Sequence, residues 1–213
     1  MFRDEYFIHH GAYRTILSTA EQIEEILIDA GIIPYTPARD KFEGELGHPE
    51  LNQNANDVNL IRALVLAGTH PNIAVSKGGV TFRSAGEPNA MVHPSSLNHA
   101  AIHPRGRDRN MVRSSDLRDT LWAFTSLQRS NDGATMFMHD STQITPLIAM
   151  VLGGRLTAEH NLITMDGWLP FKVKTEGQGS YSEAANLIME FRRMFDRVSR
   201  TISLFKAGVG IQH

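Results

Sequence analysis

The sequence predicts an α+β fold: a small five-stranded antiparallel barrel with flanking helices and a long C-terminal helix. Three observations carry this expectation. Short β-rich runs at 72–75, 79–84, 90–93, 121–127 and 135–141 are separated by Gly, Asn, Asp and Pro clusters. Apolar residues recur at helical spacing before these runs. After them, an apolar stripe steps by three and four from Leu187 to Phe205.

Along the chain, Ser18 and Thr19 precede Glu21 and Gln22, a capping-box pattern that predicts a helix start. Ile23, Ile26 and Leu27 then share a face and Gly31 fits the stop. One helix cannot bury its own core, so residues 1–33 read as the cut edge of a helical domain. Residues 34–56 are polar with three prolines and read as a linker or surface crossing. A third part, 57–213, follows. Asp57 is its first N-cap, Leu60, Ile61, Leu64 and Val65 form the apolar face of the helix, and Gly68 closes it. The five strand runs come next, and Asn131-Asp132-Gly133 between two of them is the firmest hairpin signal. Residues 144–164 are apolar, ambiguous between strand and short helix, and broken at Gly153-Gly154. The closing helix begins near Ser182, with its apolar stripe expected in the core and Arg192, Arg193, Arg197 and Arg200 on a solvated face. Five short strands with uneven loops fit a small, partly open barrel such as the OB-fold. Composition alone does not choose it over other small barrels.

The 213 residues are 41% hydrophobic and 21% charged, enough for one sizeable core. The absence of cysteine excludes disulfides, thiolate zinc sites and thiol catalysis. No apolar run reaches the roughly 18 residues of a membrane span, and the charged N-terminus has no apolar signal core. The expected location is intracellular. Charge is uneven. Residues 1–50 carry ten carboxylates and four Lys or Arg, whereas 51–213 carry thirteen and seventeen. The second part therefore suits an anionic partner, although chance produces such asymmetry too.

No Gly-x-x-x-x-Gly-Lys-Ser/Thr loop and no Gly-x-Ser-x-Gly elbow occur. His99 and His103 stand four apart, but Pro104 follows at once and no acid lies between them, so they read as a loop pair and not as a metal site.

The string AGTHPNIAV followed by GVTFRSAGEPNAMVHPSSLN is less generic. With LWAFTSLQRS, MFMHDSTQITPLIAMVLGG and MDGWLPFKV in that order, it resembles the C-terminal OB-fold region of the DEAH-box/RNA-helicase-A group of ATP-dependent RNA helicases. Residues 1–33 resemble the end of that group's helical ratchet domain. Three departures stand out: Ser126 replaces a glutamate, His139 replaces an arginine, and the stretch from Ser96 to Trp122 is long. The resemblance implies a motorless part of a larger enzyme. ATP and Mg would be bound in the parent's RecA-like domains. The chain carries no Asp-Glu-Ala-His box, so by itself it is expected to bind no cofactor and hydrolyse no ATP. Implied partners are single-stranded RNA and the parent's own RecA-like and winged-helix domains. A ribosome or protein cofactor comes after these, no membrane is implied, and the likeness of MDGWLPFKV to a subgroup with cytoplasmic members implies a cytoplasmic rather than nuclear location.

The candidate RNA contacts follow. Pro94 cannot donate to a ladder and should end a strand at His93. The hydroxyls and N–H groups of Ser95 and Ser96 then either meet phosphate oxygens or cap the next turn. Arg105, Arg107, Arg109 and Arg113 form a glycine-broken basic loop suited to phosphate and to stacking on bases. Lys77, Arg83 and His139 are secondary candidates. Phe82, Phe124 and Phe137 are assigned to the core.

Overall fold

A computed structural model describes residues 9–37, 47–78, 80–102, 117–159, 162–173 and 181–209, without the side chains of 100, 101, 181, 182 and 200–209. The chain falls into two units, residues 1–57 with 199–213 and residues 58–198.

In the first unit, α1 (His10–Asp29) begins eight residues before the capping-box pattern. The reason is local. His9 Nδ1 accepts from the Ala12 N–H and serves as the N-cap, while the Ser18 hydroxyl donates back to the Thr15 carbonyl inside the helix. The helix stops where predicted: Gly31 takes φ +65°, and Ile32 N–H returns to Leu27 O. Ile23 and Ile26 are exposed, whereas Glu24 is buried and its Oε1 accepts the Gly47 N–H at 2.9 Å. In the segment read as a linker, Pro49–Asn52 form one 3-10 turn capped by His48.

The second unit opens with α2 (Val58–Thr69). Its predicted apolar face is corrected in part: Leu60, Ile61 and Leu64 are exposed, Val65 packs half-buried against the core, and Leu66 is fully buried. Strands β1 (Ile73–Ser76), β2 (Thr81–Ser84) and β3 (Ala90–Val92) form an antiparallel meander. After α3 (Leu97–Ile102) come β4 (Leu121–Ala123), β5 (Ser126–Arg129), β6 (Met136–His139) and β7 (Thr142–Ile144). Together they make a seven-stranded mixed sheet in the order β5-β6-β3-β2-β1-β4-β7. The expectation of a five-stranded, wholly antiparallel barrel is corrected on two points. First, β3 and β6 pair in parallel, with Val92 opposite Met138. Second, the run 121–127 divides at Phe124-Thr125, where the chain changes neighbours. Phe124 N–H goes to Asn72 O beside β1, and Thr125 N–H goes to His139 O beside β6. The run 135–141 ends as β6 at His139; Asp140, whose φ is +49°, bends the chain, and β7 begins just past the run.

The Asn131-Asp132-Gly133 segment does close a hairpin, between β5 and β6. Gly133 supplies φ +72°. Asp132 accepts from the Ser130 hydroxyl and the Ala134 N–H, and these bonds, the hydroxyl first, hold its carboxyl below the usual range. The ambiguous stretch resolves into both alternatives. Helix α4 (Pro146–Leu152) is capped by Thr145, and β8 (Leu156–Glu159) follows it. β8 joins β9 (Leu162–Met165) and β10 (Leu169–Lys172) in a second, antiparallel sheet.

Two cores lie on opposite faces of the larger sheet, since side chains alternate along β1 and β4. Ile73, Val75, Leu121 and Ala123 meet Leu66, Met150 and the second sheet. Ala74, Trp122 and Phe124 meet Phe82, Val92 and Met138. Phe82 packs edge-on to Trp122 at 5.6 Å, a pairing worth about 0.5–1.5 kcal/mol beyond burial.

Helix α5 (Tyr181–Val209) corrects a further expectation. Its residues Leu187, Phe191, Met194, Phe195 and Val198 are exposed, and it meets the core through Ala184, Ala185 and Ile188. Arg192 is not on a solvated face. Its Nη1 and Nη2 donate to the Met150 and Gly153 carbonyls, each at 3.0 Å, satisfying the C-terminal end of α4, and its Nε pairs with Asp196. No described helix is long and apolar enough to cross a membrane.

Gly153 ends α4 against backbone: a Cβ there would overlap the Ala149 carbonyl and Met165 Sδ. Gly153→Ala should lower the unfolding free energy by about 1–3 kcal/mol. Gly68→Ala, in open space within α2, should raise it by about 0.5–1 kcal/mol. Urea denaturation of the two variants checks the opposite signs.

Candidate nucleic-acid interface

The corner at His93 is built by the parallel pairing of β3 and β6. Because Val92 lies opposite Met138, the next residues, His93 and His139, fall side by side. Their rings stack with centroids 4.3 Å apart, and Phe137 meets the His93 ring edge-on at 5.4 Å. The last ladder bond is His93 N–H to Met138 O at 3.0 Å. Pro94 then ends the pairing, as its missing donor requires.

Past Pro94 the freed groups turn inward. Ser95 N–H donates to His93 Nδ1 at 3.2 Å, and the Ser95 hydroxyl lies 2.7 Å from the same nitrogen. Ser96 N–H reaches His93 O, while the Ser96 hydroxyl accepts the Asn98 N–H at the start of α3. Of the two roles open to these serines, capping the turn is the one seen in the geometry. Asn98 ties the corner to its neighbour by donating to Ser141 O at 2.6 Å. The Thr125 hydroxyl lies within bonding distance of Asp140 Oδ2 and His139 O. Asn98, Thr125, Asp140 and Ser141 were not singled out in the sequence. Thr125, Asp140 and Ser141 are polar residues next to strand ends, and Asn98 stands in the first turn of α3.

The remaining candidates are placed as follows. Lys77 Nζ bonds Asn89 Oδ1 at 2.7 Å and Pro88 O at 3.3 Å, bracing the turn before β3. The Arg83 guanidinium sits over the Trp168 ring, 5.4 Å from its centroid. Arg105, Arg107, Arg109 and Arg113 lie outside the described residues. His93, Ser95, Ser96 and His139 are thus brought together, while Lys77 and Arg83 hold local contacts of their own. Among the described residues no group of three or more His, Asp or Glu side chains is placed to hold a metal.

The arrangement supplies a stacked pair of imidazoles, two hydroxyls and an adjacent carboxylate at one end of two parallel strands. No protein-family model matches the chain. Among curated proteins it is 22% identical over 198 residues to the ATP-dependent DNA/RNA helicase DHX36 of Homo sapiens, covering 90% of this chain and 17% of that protein. It is 22% identical over 211 residues to the ATP-dependent RNA helicase DHX30 of Mus musculus, covering 92% of this chain and 15% of the relative. Against the ATP-dependent RNA helicase DHX29 of Homo sapiens the figures are 24% over 202 residues, 88% and 13%. The chain is similar to a C-terminal segment of DEAH-box RNA helicases.

The strings that carry the resemblance occupy structural junctions. Ala67-Gly68 lies at the end of α2, Asn72-Ile73-Ala74 leads β1, His93-Pro94-Ser95-Ser96 is the corner, and Gly153-Gly154 ends α4. The chain spans 17% or less of the length of these relatives.

If Asn98 fastens the corner, Asn98→Ala should cost about 1 kcal/mol by losing its bond to Ser141. It should also perturb the His93 and His139 ring resonances in NMR spectra. Unchanged stability and resonances would show that the corner is held elsewhere.

Proposed function

We propose that this chain is an RNA-contacting C-terminal module of an ATP-dependent DEAH-box RNA helicase. It lines the RNA path and relays contacts to RecA-like motor domains that bind ATP and Mg. The observation that carries the reading is the similarity along nine-tenths of the chain to three such helicases, with the resemblance strings at the junctions of the fold.

A barrel of the OB type is the fold we read behind the seven strands. The support is that β4 with β5, and β6 with β7, are halves of two continuous runs. Each run changes neighbours at its bend: β4 pairs with β1 and β7 and β5 with β6, while β6 pairs with β3 and β5 and β7 with β4. RNA would approach the corner at His93, Ser95, Ser96 and His139, with Arg105, Arg107, Arg109 and Arg113 supplying the phosphate contacts. Such contacts are independent of sequence and weakened by salt.

A second reading is favoured by one observation. An almost wholly apolar groove of about 580 Å³ lies between α2, α4 and α5, lined by Ala63, Leu147, Val151, Leu187, Ile188 and Phe191. Exposed apolar surface of this kind marks protein docking. In this reading the module docks the motor, a ribosome or a protein cofactor and touches RNA little.

Fluorescence anisotropy of the 213-residue chain with a short single-stranded RNA separates the two. The first reading predicts binding at tens of micromolar protein or tighter. Losing the three arginines 105, 107 and 109 to alanine should flatten the salt dependence by a slope of about 2, from roughly 0.7 per phosphate contact. Absence of salt-dependent binding would leave the docking reading. An unchanged slope in the triple variant would remove the basic loop from the interface.

A further inference from the structure

A cleft of about 360 Å³ opens beside the junction of β4 and β5, at the lower end of the size range of small-ligand sites. Its walls are flat and apolar: Trp168, Phe124, Leu127 and Pro71 all line it. Arg83 lies over the Trp168 ring, so the aromatic wall is held by a cation. Polar atoms sit at its rim. The Ser84 hydroxyl accepts from Glu87 N–H, which leaves its own proton to donate. Asn72 Nδ2 spends one hydrogen on Thr125 O and has a second. Asp166 takes φ +50° in the β9–β10 turn and also lines the cleft. Its Oδ1 accepts Arg155 N–H at 2.8 Å, and its Oδ2 lies 3.5 Å from His70 Nε2. A carboxylate has about four acceptor sites, so these contacts do not exhaust it.

These features select a class of ligand. Flat aromatic and aliphatic walls take a planar ring, as stacking sites for unpaired bases do. The Asp166 carboxylate repels phosphate, so a nucleotide would enter base first. A carboxylate accepts from the cytosine N4 amino group, where uracil presents the O4 carbonyl that it repels and keeps only N3–H as a donor. The spare Asn72 and Ser84 protons suit the cytosine N3 and O2 acceptors. We propose that this cleft is a slot for one unpaired nucleobase bearing an exocyclic amino group, with cytosine the reference ligand. The inference rests on the reading of the chain as an RNA-contacting module and adds to it a base preference.

The test uses the whole 213-residue chain and the fluorescence of its two tryptophans. Trp122 is buried and bonded to Thr120, whereas Trp168 lines the cleft. Cytidine 5′-monophosphate should quench the emission saturably and bind at least five-fold more tightly than uridine 5′-monophosphate. Ribose 5-phosphate should leave the emission unchanged. Trp168→Phe should abolish the quench while the circular dichroism spectrum is kept, and Asp166→Asn should bring the cytidine-to-uridine ratio toward one. A saturable quench without binding of single-stranded RNA would uphold the slot and defeat the RNA reading. RNA binding without any quench would do the reverse. Equal affinity for the two nucleotides, or a quench that survives Trp168→Phe, would overturn the proposal.

Discussion

Burial of β1 and β4 on both faces is the constraint on which the second unit depends. Ile73, Ala74 and Val75, with Leu121 to Phe124, are all nearly inaccessible. A strand of this kind reads as a continuous apolar run and not as an alternating one. It also obliges the chain to supply two covers. One is made by α2, α4, α5 and the second sheet. The other is made by Phe82, Val92 and Met138 from the meander and its parallel neighbour. Truncating a residue such as Phe82 would open a cavity in the second cover, and changes of this type cost about 3–5 kcal/mol.

The position of the candidate interface follows from that arrangement. Val92 of β3 and Met138 of β6 cover one face of β1, and the parallel pairing of these two strands places their ends together. His93 and His139 are the residues at those ends. Pro94 then prevents β3 from continuing, and Ser95, Ser96 and Asn98 use the liberated donors to fasten the turn. The same bend at Phe124-Thr125 that divides β4 from β5 leaves the cleft under Trp168 beside it.

Local elements were readable from the sequence wherever their cause is local. The five β-rich runs, the Asn-Asp-Gly hairpin, the Gly31 stop and the long closing helix all have short-range signals. The parallel pairing had none, because Ala90 and Met136 are 46 positions apart and nothing local prefers that partner. The bend at Phe124-Thr125 leaves no mark in composition, since every residue around it suits a strand. Helix faces were misjudged for a different reason. Leu60, Ile61 and Leu64 on α2, and Leu187, Phe191 and Met194 on α5, have the spacing of core residues yet face outward, so periodicity identified a helix without saying what covers it. At the candidate interface, Pro94 located the corner, but the tie from Asn98 to Ser141 spans 43 residues. The Asp166-Gly167 dipeptide is a hairpin signal that was present and unused. It is also what brings Asp166 and Trp168 to the cleft.

The central claim is that RNA meets this chain at the ends of β3 and β6. The most direct measurement is the set of backbone amide shift changes when isotopically labelled chain is titrated with a short single-stranded RNA. The account predicts that the changes among the described residues gather at His93–Asn98, Thr125 and His139–Ser141. Changes confined to the apolar groove between α2, α4 and α5, with the corner silent, would contradict it.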